Sequence, residues 1–280
     1  MCRLYGFRAT EPTKIECTLV HAQNALIVQS YRDHSGTSHL NGWGLTLYKD
    51  GRLQTMRQAK AAVDDANFRR VAGRAYSDTV LAHVRRATVG RVALENTHPF
   101  CYGRWAFVHN GTLPRFDELR PKMLAMMTSA HRVAIQGETD SEHIFHMLLS
   151  AHESVPARPL YEMLHHTFGQ IAAWCHQLNS AARIGLNILL TDGERLVGCR
   201  WGRTLYYVER SGVHDCEICG FPHIHHDPRR NYRAIVIASE PLSNEQWREM
   251  PDRSVFAVSP EMALQIDLLL PTEADEAILA

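Results

Sequence analysis

The 280-residue sequence predicts an α+β fold in which two mainly antiparallel sheets lie between outer layers of helices. Three observations predict it. Strand patterns occupy the first part of the chain, two long helical patterns its middle, and six short strand patterns its last third. No Gly/Ser/Pro-rich linker, internal repeat or low-complexity segment divides these groups, so residues 2–270 read as one domain, followed by a tail over 271–280.

The elements follow in order. An apolar run (Leu4, Tyr5, Gly6, Phe7) begins directly after Cys2 and reads as a buried strand, and Leu19, Ala22, Leu26 and Ile27 give residues 13–30 helical spacing. A Gly, Ser and His rich loop runs through Asn41. Trp43–Lys49 and Arg52–Met56 form a hairpin, because Asp50-Gly51 tolerates the positive φ of a type I′ turn. Residues 60–74 read as a helix, Asp78–Val84 and Trp105–His109 as strands with polar ends, and Asn110-Gly111 as a turn. Thr139, Asp140, Ser141 and Glu142 form a capping box that opens a helix, and a second long helix covers Leu160–Leu178. Strands are expected at Ile184–Thr191, Arg195–Trp201, Thr204–Val208, Ala234–Ala238, Ser254–Val258 and Ala263–Leu268.

Composition narrows the function. The 30 basic and 30 acidic residues cancel, so no electrostatic footprint points to nucleic acid or an anionic membrane, and the expected ligand is a small molecule. No bilayer-spanning stretch and no export signal is read, which points to the cytoplasm. Seven cysteines, an odd number, then favour reduced thiols over a disulfide framework.

Removal of Met1 would leave Cys2 with a thiol nucleophile and, in its own α-amine of pKa about 7.7 to 8.0, a base. Three later motifs stand with it: His83-Val84-Arg85-Arg86-Ala87-Thr88-Val89-Gly90, His109-Asn110-Gly111 and Gly137-Glu138-Thr139-Asp140. In this order and spacing the sequence resembles the class II glutamine amidotransferase domain, an N-terminal-nucleophile hydrolase, over at least residues 2–150. Glu95–Phe100 and Ala238–Leu242 resemble its stand-alone, single-domain branch and extend the likeness over nearly the whole chain. The resemblance implies a four-layer αββα sandwich. It also implies that Cys2 is the nucleophile, that Asn110 and Gly111 form the oxyanion hole, that Arg85 with Thr88 holds the substrate carboxylate, and that Asp140 holds its ammonium. The residue types suit these tasks: a guanidinium pairs a carboxylate bidentately, and a carboxylate accepts from an ammonium. Arg86 stands where some multidomain relatives carry an aromatic residue, and Asn41-Gly42-Trp43-Gly44 where Asp-Gly-Trp-Gly is expected.

The implied reaction is hydrolysis of the glutamine side-chain amide through a γ-glutamyl thioester on Cys2, with the ammonia passed to a synthase partner. An alternative is cleavage of a γ-glutamyl amide in a larger metabolite, of the ergothioneine-pathway type. A third, non-catalytic glutamine binding, would need neither nucleophile nor oxyanion donors. Cys216-Glu217-Ile218-Cys219, followed by His223, His225 and His226, has zinc-like spacing, but all ligands would come from one short loop. Zinc and unligated side chains both stay open for this loop; no metal ligand and no cofactor is assigned, and Cys17, Cys101, Cys175 and Cys199 read as packing residues.

Overall fold

The computed structural model describes residues 2–179, 181, 183–225, 227 and 231–269; Met1, His226 and the expected tail lie outside them. In chain order the strands are β1 (Arg3–Lys14), β2 (Trp43–Lys49), β3 (Arg52–Gln58), β4 (Tyr76–Val84), β5 (Phe100–Tyr102), β6 (Trp105–Thr112), β7 (Gly185–Thr191), β8 (Leu196–Arg200), β9 (Tyr206–Ser211), β10 (Arg233–Ala238), β11 (Arg248–Glu249), β12 (Ser254–Val258) and β13 (Leu264–Leu268). The helices are α1 (Leu26–Tyr31), α2 (Ala66–Arg74), α3 (Phe116–Ala125), α4 (Ser129–Ala134), α5 (Asp140–Ser154) and α6 (Leu160–Leu178), with a π-helical turn at Cys17–His21.

Two antiparallel sheets result, one ordered β11-β9-β10-β1-β4-β2-β3 and the other β13-β12-β8-β7-β6-β5. Side-chain alternation builds the layers. On β10, Ile235 and Ile237 enter the core between the sheets with Leu4, Leu81, Val108 and Leu189, whereas Ala234, Val236 and Ala238 turn outward with Tyr5 and Phe7 toward α1 and α2. The outer face of the second sheet packs on α3, α5 and α6 through Phe107, Leu119, Phe145, Leu148 and Phe168. The order of layers is helix, sheet, sheet, helix, as the resemblance implies. A Cβ on Gly6 would stand 2.4 Å from Leu189 Cδ1, so glycine is what lets β1 and β7 come this close across the inter-sheet core.

The hairpin, α6 and the β12 strand fall where the sequence places them. The helix expected over 13–30 does not form as one piece. β1 continues to Lys14, the π turn closes by Ala22 N–H donating to Cys17 O at 2.8 Å, and Asn24 leaves the helical path to donate to Pro241 O at 2.7 Å. The helix expected over 60–74 is confined to α2, capped by Asp65, whose carboxylate accepts from Asn67 N–H. Asn110-Gly111 is not a turn: β6 runs through both, pairing them with Asn187 and Leu186 of β7. Cys17 is buried, but it also lies beside Cys216, Cys219 and His223, a grouping that no local pattern reveals.

Candidate active site

Cys2 stands immediately ahead of β1, a strand flanked on both sides by β10 and β4. Its buried Sγ lies 3.4 Å from both the amide nitrogen and the carbonyl oxygen of Arg86, so the thiol donates to one and receives the other's N–H. Burial raises its pKa, and Asp140 adds to the rise while the Arg86 hydrogen bond and the Arg85 charge oppose it. The thiol is therefore protonated at neutral pH and needs a base before it can attack.

The backbone of Cys2 is held from behind by a buried ionic frame. Arg3 Nη1 donates to Cys2 O at 3.0 Å, while the same guanidinium pairs with Glu240 at 2.7 Å and with Asp33. Asp33 in turn accepts from His39 Nε2, Ser35 Oγ and Thr37 N–H, and Glu240 from His34 N–H. Burial depresses His39 to about 4, against the pull of Asp33, and keeps it neutral.

β4 delivers the second motif. Arg85 N–H donates to Gly42 O at 2.7 Å and Asn41 N–H to Arg85 O at 2.9 Å, while Asn41 Oδ1 accepts from Ala87 N–H at 2.9 Å. The unexpected Asn41 thus anchors the loop after β4 by an acceptor oxygen that an Asp would also supply. The Arg85 guanidinium turns into that loop, donating to Arg91 O, Val89 O and Gly90 O at 2.9 to 3.2 Å. Both terminal nitrogens are thereby engaged with loop carbonyls, which fixes the plane of the guanidinium. Thr88, farther along, is exposed and bonds Thr112 Oγ1 at 3.1 Å.

The third and fourth motifs meet across β6 and α5. Thr139 caps α5 by accepting from Glu142 N–H, but the Glu142 carboxylate accepts from Gln136 and Gly137 N–H in place of Thr139 N–H. Asp140 sits buried in the first turn, accepting from Leu113 N–H at 2.8 Å and Ser141 N–H at 2.9 Å. His109 donates from Nε2 to Gly185 O and therefore accepts at Nδ1 from Ser141 Oγ, at 2.8 Å. A Cβ on Gly111 would lie 1.9 Å from Gly185 O, which is why that position is glycine.

Asn110 is buried in the adjoining register position. Its Nδ2 lies 3.2 Å from Ser239 Oγ, which also accepts Leu4 N–H at 3.0 Å, while its Oδ1 is buried with no partner among the described residues. Turning the amide over lets the Ser239 hydroxyl donate to Oδ1 and directs the NH2 group to the position now held by the unpartnered oxygen. Ser239 thus ties the strand after Cys2 to the sheet that carries Asn110. The sequence reading saw Ser239 only as part of a branch signature, and it missed the Arg3, Asp33, Glu240 and His39 frame, which joins residues far apart in the chain.

Cys2, Arg85 and Asp140 lie within one electrostatic neighbourhood, with Glu138 and His109 at its edge. Thr88 is exposed, with its hydroxyl on that of Thr112, the residue after Gly111. A cavity of about 470 Å³ lies elsewhere, between Cys17, Arg210, His223 and Glu245, and none of the six expected site residues lines it.

Known proteins resemble this chain in sequence and in fold. A family model described as class II glutamine amidotransferases matches residues 1–265. The chain is 31% identical over 268 residues to the putative glutamine amidotransferase YafJ of Escherichia coli, covering 89% of this chain and 94% of that protein. It is 28% identical over 264 residues to the gamma-glutamyl-hercynylcysteine sulfoxide hydrolase of Mycolicibacterium smegmatis, covering 92% and 96% respectively. In fold it is similar to the glutamine phosphoribosylpyrophosphate amidotransferase of B. subtilis, with a TM-score of 0.62 at 16% identity over 97% of this chain and 50% of that one.

Proposed function

The chain belongs to the class II glutamine amidotransferases, enzymes of the N-terminal-nucleophile amidohydrolase kind, and from that premise we propose that it hydrolyses the side-chain amide of glutamine through a thioester on Cys2. The observation that carries the reading is the buried Cys2 thiol with Arg85 and Asp140 in its electrostatic field.

The α-amine of Cys2, freed by removal of Met1, takes the thiol proton as Sγ attacks the amide carbon. The carbonyl oxygen becomes an oxyanion, stabilised by the Asn110 NH2 turned away from Ser239 and by Gly111 N–H; such donors act mainly on the transition state. The C–N bond breaks, the proton passes to the departing nitrogen, and ammonia leaves the γ-glutamyl thioester. Water, deprotonated by the same amine, attacks the thioester and returns the thiol with glutamate. Arg85 takes the substrate α-carboxylate with N–H capacity that the loop carbonyls leave free, and Asp140 takes the α-ammonium.

A second reading, hydrolysis of a γ-glutamyl amide with a larger leaving group, draws on the hydrolase relative and on Arg203. Its Nε is buried without a partner among the described residues, 3.3 Å from where a Gly185 Cβ would stand, with Arg183 close by. A guanidinium beside the Gly111–Gly185 contact suits an anionic leaving group. Both readings are tested by intact-mass analysis after exposure to 6-diazo-5-oxo-L-norleucine, a reactive glutamine mimic, with turnover of glutamine and of γ-glutamyl peptides measured in parallel. One adduct is expected on a chain lacking Met1, and none on Cys2→Ala, which should also be inactive. Unchanged hydrolysis by Cys2→Ala would remove the mechanism. Arg203→Ala losing γ-glutamyl peptides while keeping glutamine would select the second substrate.

A further inference from the structure

Cys216-Glu217-Ile218-Cys219 belongs to an irregular segment between β9 and β10 that plays no part in the reaction above. The segment folds back on itself: Gly220 N–H donates to Cys216 O at 2.8 Å and Cys216 N–H to Phe221 O at 3.1 Å, with Gly220 at φ +74. This hairpin turns both thiols to the same side. Lys14 N–H donates to His223 O at 2.8 Å, which fastens the segment to the end of β1, just before the π turn that begins at Cys17.

Four donor atoms converge there. One ligand atom each from Cys17, Cys216, Cys219 and His223 lies within 4.8 Å of all the others, and Cys219 Sγ is 3.2 Å from His223 Nε2. We propose that these four residues bind a structural zinc ion in a Cys3His site. Metal–sulfur bonds of about 2.3 Å set tetrahedral S···S edges of about 3.8 Å, so less than about 1 Å of side-chain movement closes the observed group around an ion. The fourth ligand is Cys17, about 200 residues from the others in sequence; it removes the objection that a single short loop would have to supply the whole tetrahedron.

The surroundings fit that ion. Ile218 N–H donates to Cys216 Sγ at 3.4 Å, a contact that fixes the direction of the sulfur within the turn. Three thiols gathered with one another, one of them buried, have little reason to be together as neutral groups, and a divalent cation supplies the charge that their ionised forms require. His223 is half-buried and turns Nε2 toward Cys219 Sγ, so its ring nitrogen faces the centre of the group. Four protein ligands leave no open position for substrate or water, so the ion's task is to staple to β1 a segment that forms no helix or strand of its own among the described residues from Gly212 to His225. Exposed Cys219 gives the ion its way in.

The test uses the full chain, purified reduced and without chelator. Metal analysis should return about one zinc per chain, and replacement by Co2+ should give the intense visible bands of tetrahedral cobalt with the near-ultraviolet charge transfer of cobalt thiolate. Cys219→Ser and His223→Ala, both outside the core, should lose the metal on dialysis against a chelator that the wild type withstands. A reconstituted wild type that holds no zinc would overturn the proposal, as would a pale octahedral cobalt spectrum or a Cys216–Cys219 disulfide in place of metal. Equal retention by wild type and both variants would overturn it too. Glutamine turnover does not enter these readouts, so failure here is distinct from failure of the catalytic reading.

Discussion

The chain holds thiols in two contrasting surroundings, the lone Cys2 ahead of β1 and the trio of Cys17, Cys216 and Cys219 at that strand's far end. Cys2 is enclosed by regular structure: flanking strands, the Arg3 frame and the Arg86 backbone fix it before any ligand arrives. The trio is bounded by a π turn and an irregular segment, and its members are close to one another because the chain brings them there. A reactive thiol is thus kept single, buried and protonated until its base acts; thiols that gather are suited to sharing a cation.

Four experiments can break or sharpen that contrast. The largest effect should come from Asn110→Ala, expected to lower kcat by about two to three orders of magnitude with KM changed much less. A stable variant whose KM rises while kcat holds would make Asn110 a substrate-binding residue. Arg85→Lys comes next, with kcat/KM down roughly tenfold or more, because the lysine keeps charge but loses both the ligand-facing N–H groups and the grip on the loop carbonyls. Glutamine analogues lacking the α-carboxylate should show less of that loss, and equal loss for both would detach Arg85 from the carboxylate.

Cys219→Ser should move stability and leave chemistry alone: a Tm lower by several degrees, on the usual scale of about 2 to 4 °C per kcal/mol, with glutamine turnover near that of wild type. Lost turnover in a folded Cys219→Ser chain would join the two regions functionally. The smallest effect is a pH response on the Cys2 side. Burial depresses His39 to about 4, His83 to about 3, and His98 well below its usual value. Each is neutral when folded and gains a proton on unfolding below about 6.5, so its stabilisation is present above that pH and is lost as pH falls toward the folded value. Each costs about 0.4 kcal/mol at pH 6.5 relative to neutral-alkaline conditions, read as a falling urea midpoint. The slope should be the same in Cys219→Ser; a midpoint independent of pH in both proteins would show that these rings take up protons alike in the folded and unfolded chain.

Local chemistry made part of this molecule legible in advance. Asp50-Gly51 announced its hairpin, and the apolar spacing of Leu160–Leu178 gave α6 to the residue. The four motifs named Cys2, Arg85, Asn110 and Asp140 as a group; Cys2, Arg85 and Asp140 share one electrostatic neighbourhood, Asn110 lies on β6 bonded to Ser239, and Thr88 is exposed with its hydroxyl on Thr112. What failed depended on tertiary contact. Asn110-Gly111 carries a turn signal that burial against β7 overrides, and α3 hides behind an internal Pro121 and a charged sequence. Cys17 lacks any local mark that would pair it with residues 216–223, and Ser239 gains its meaning only when β1 and β6 are brought face to face.

That bridge has a mechanical corollary. Cys2, the proposed nucleophile, leads into one sheet, while Asn110 and Gly111, its proposed oxyanion donors, lie on the other, and the sheets meet through an apolar core. Ser239, bonded to Leu4 on one side and Asn110 on the other, acts as a shear pin between them. Catalytic alignment is then a measure of interlayer slip, and mild denaturant or a truncated Ser239 side chain should erode turnover before either sheet comes apart.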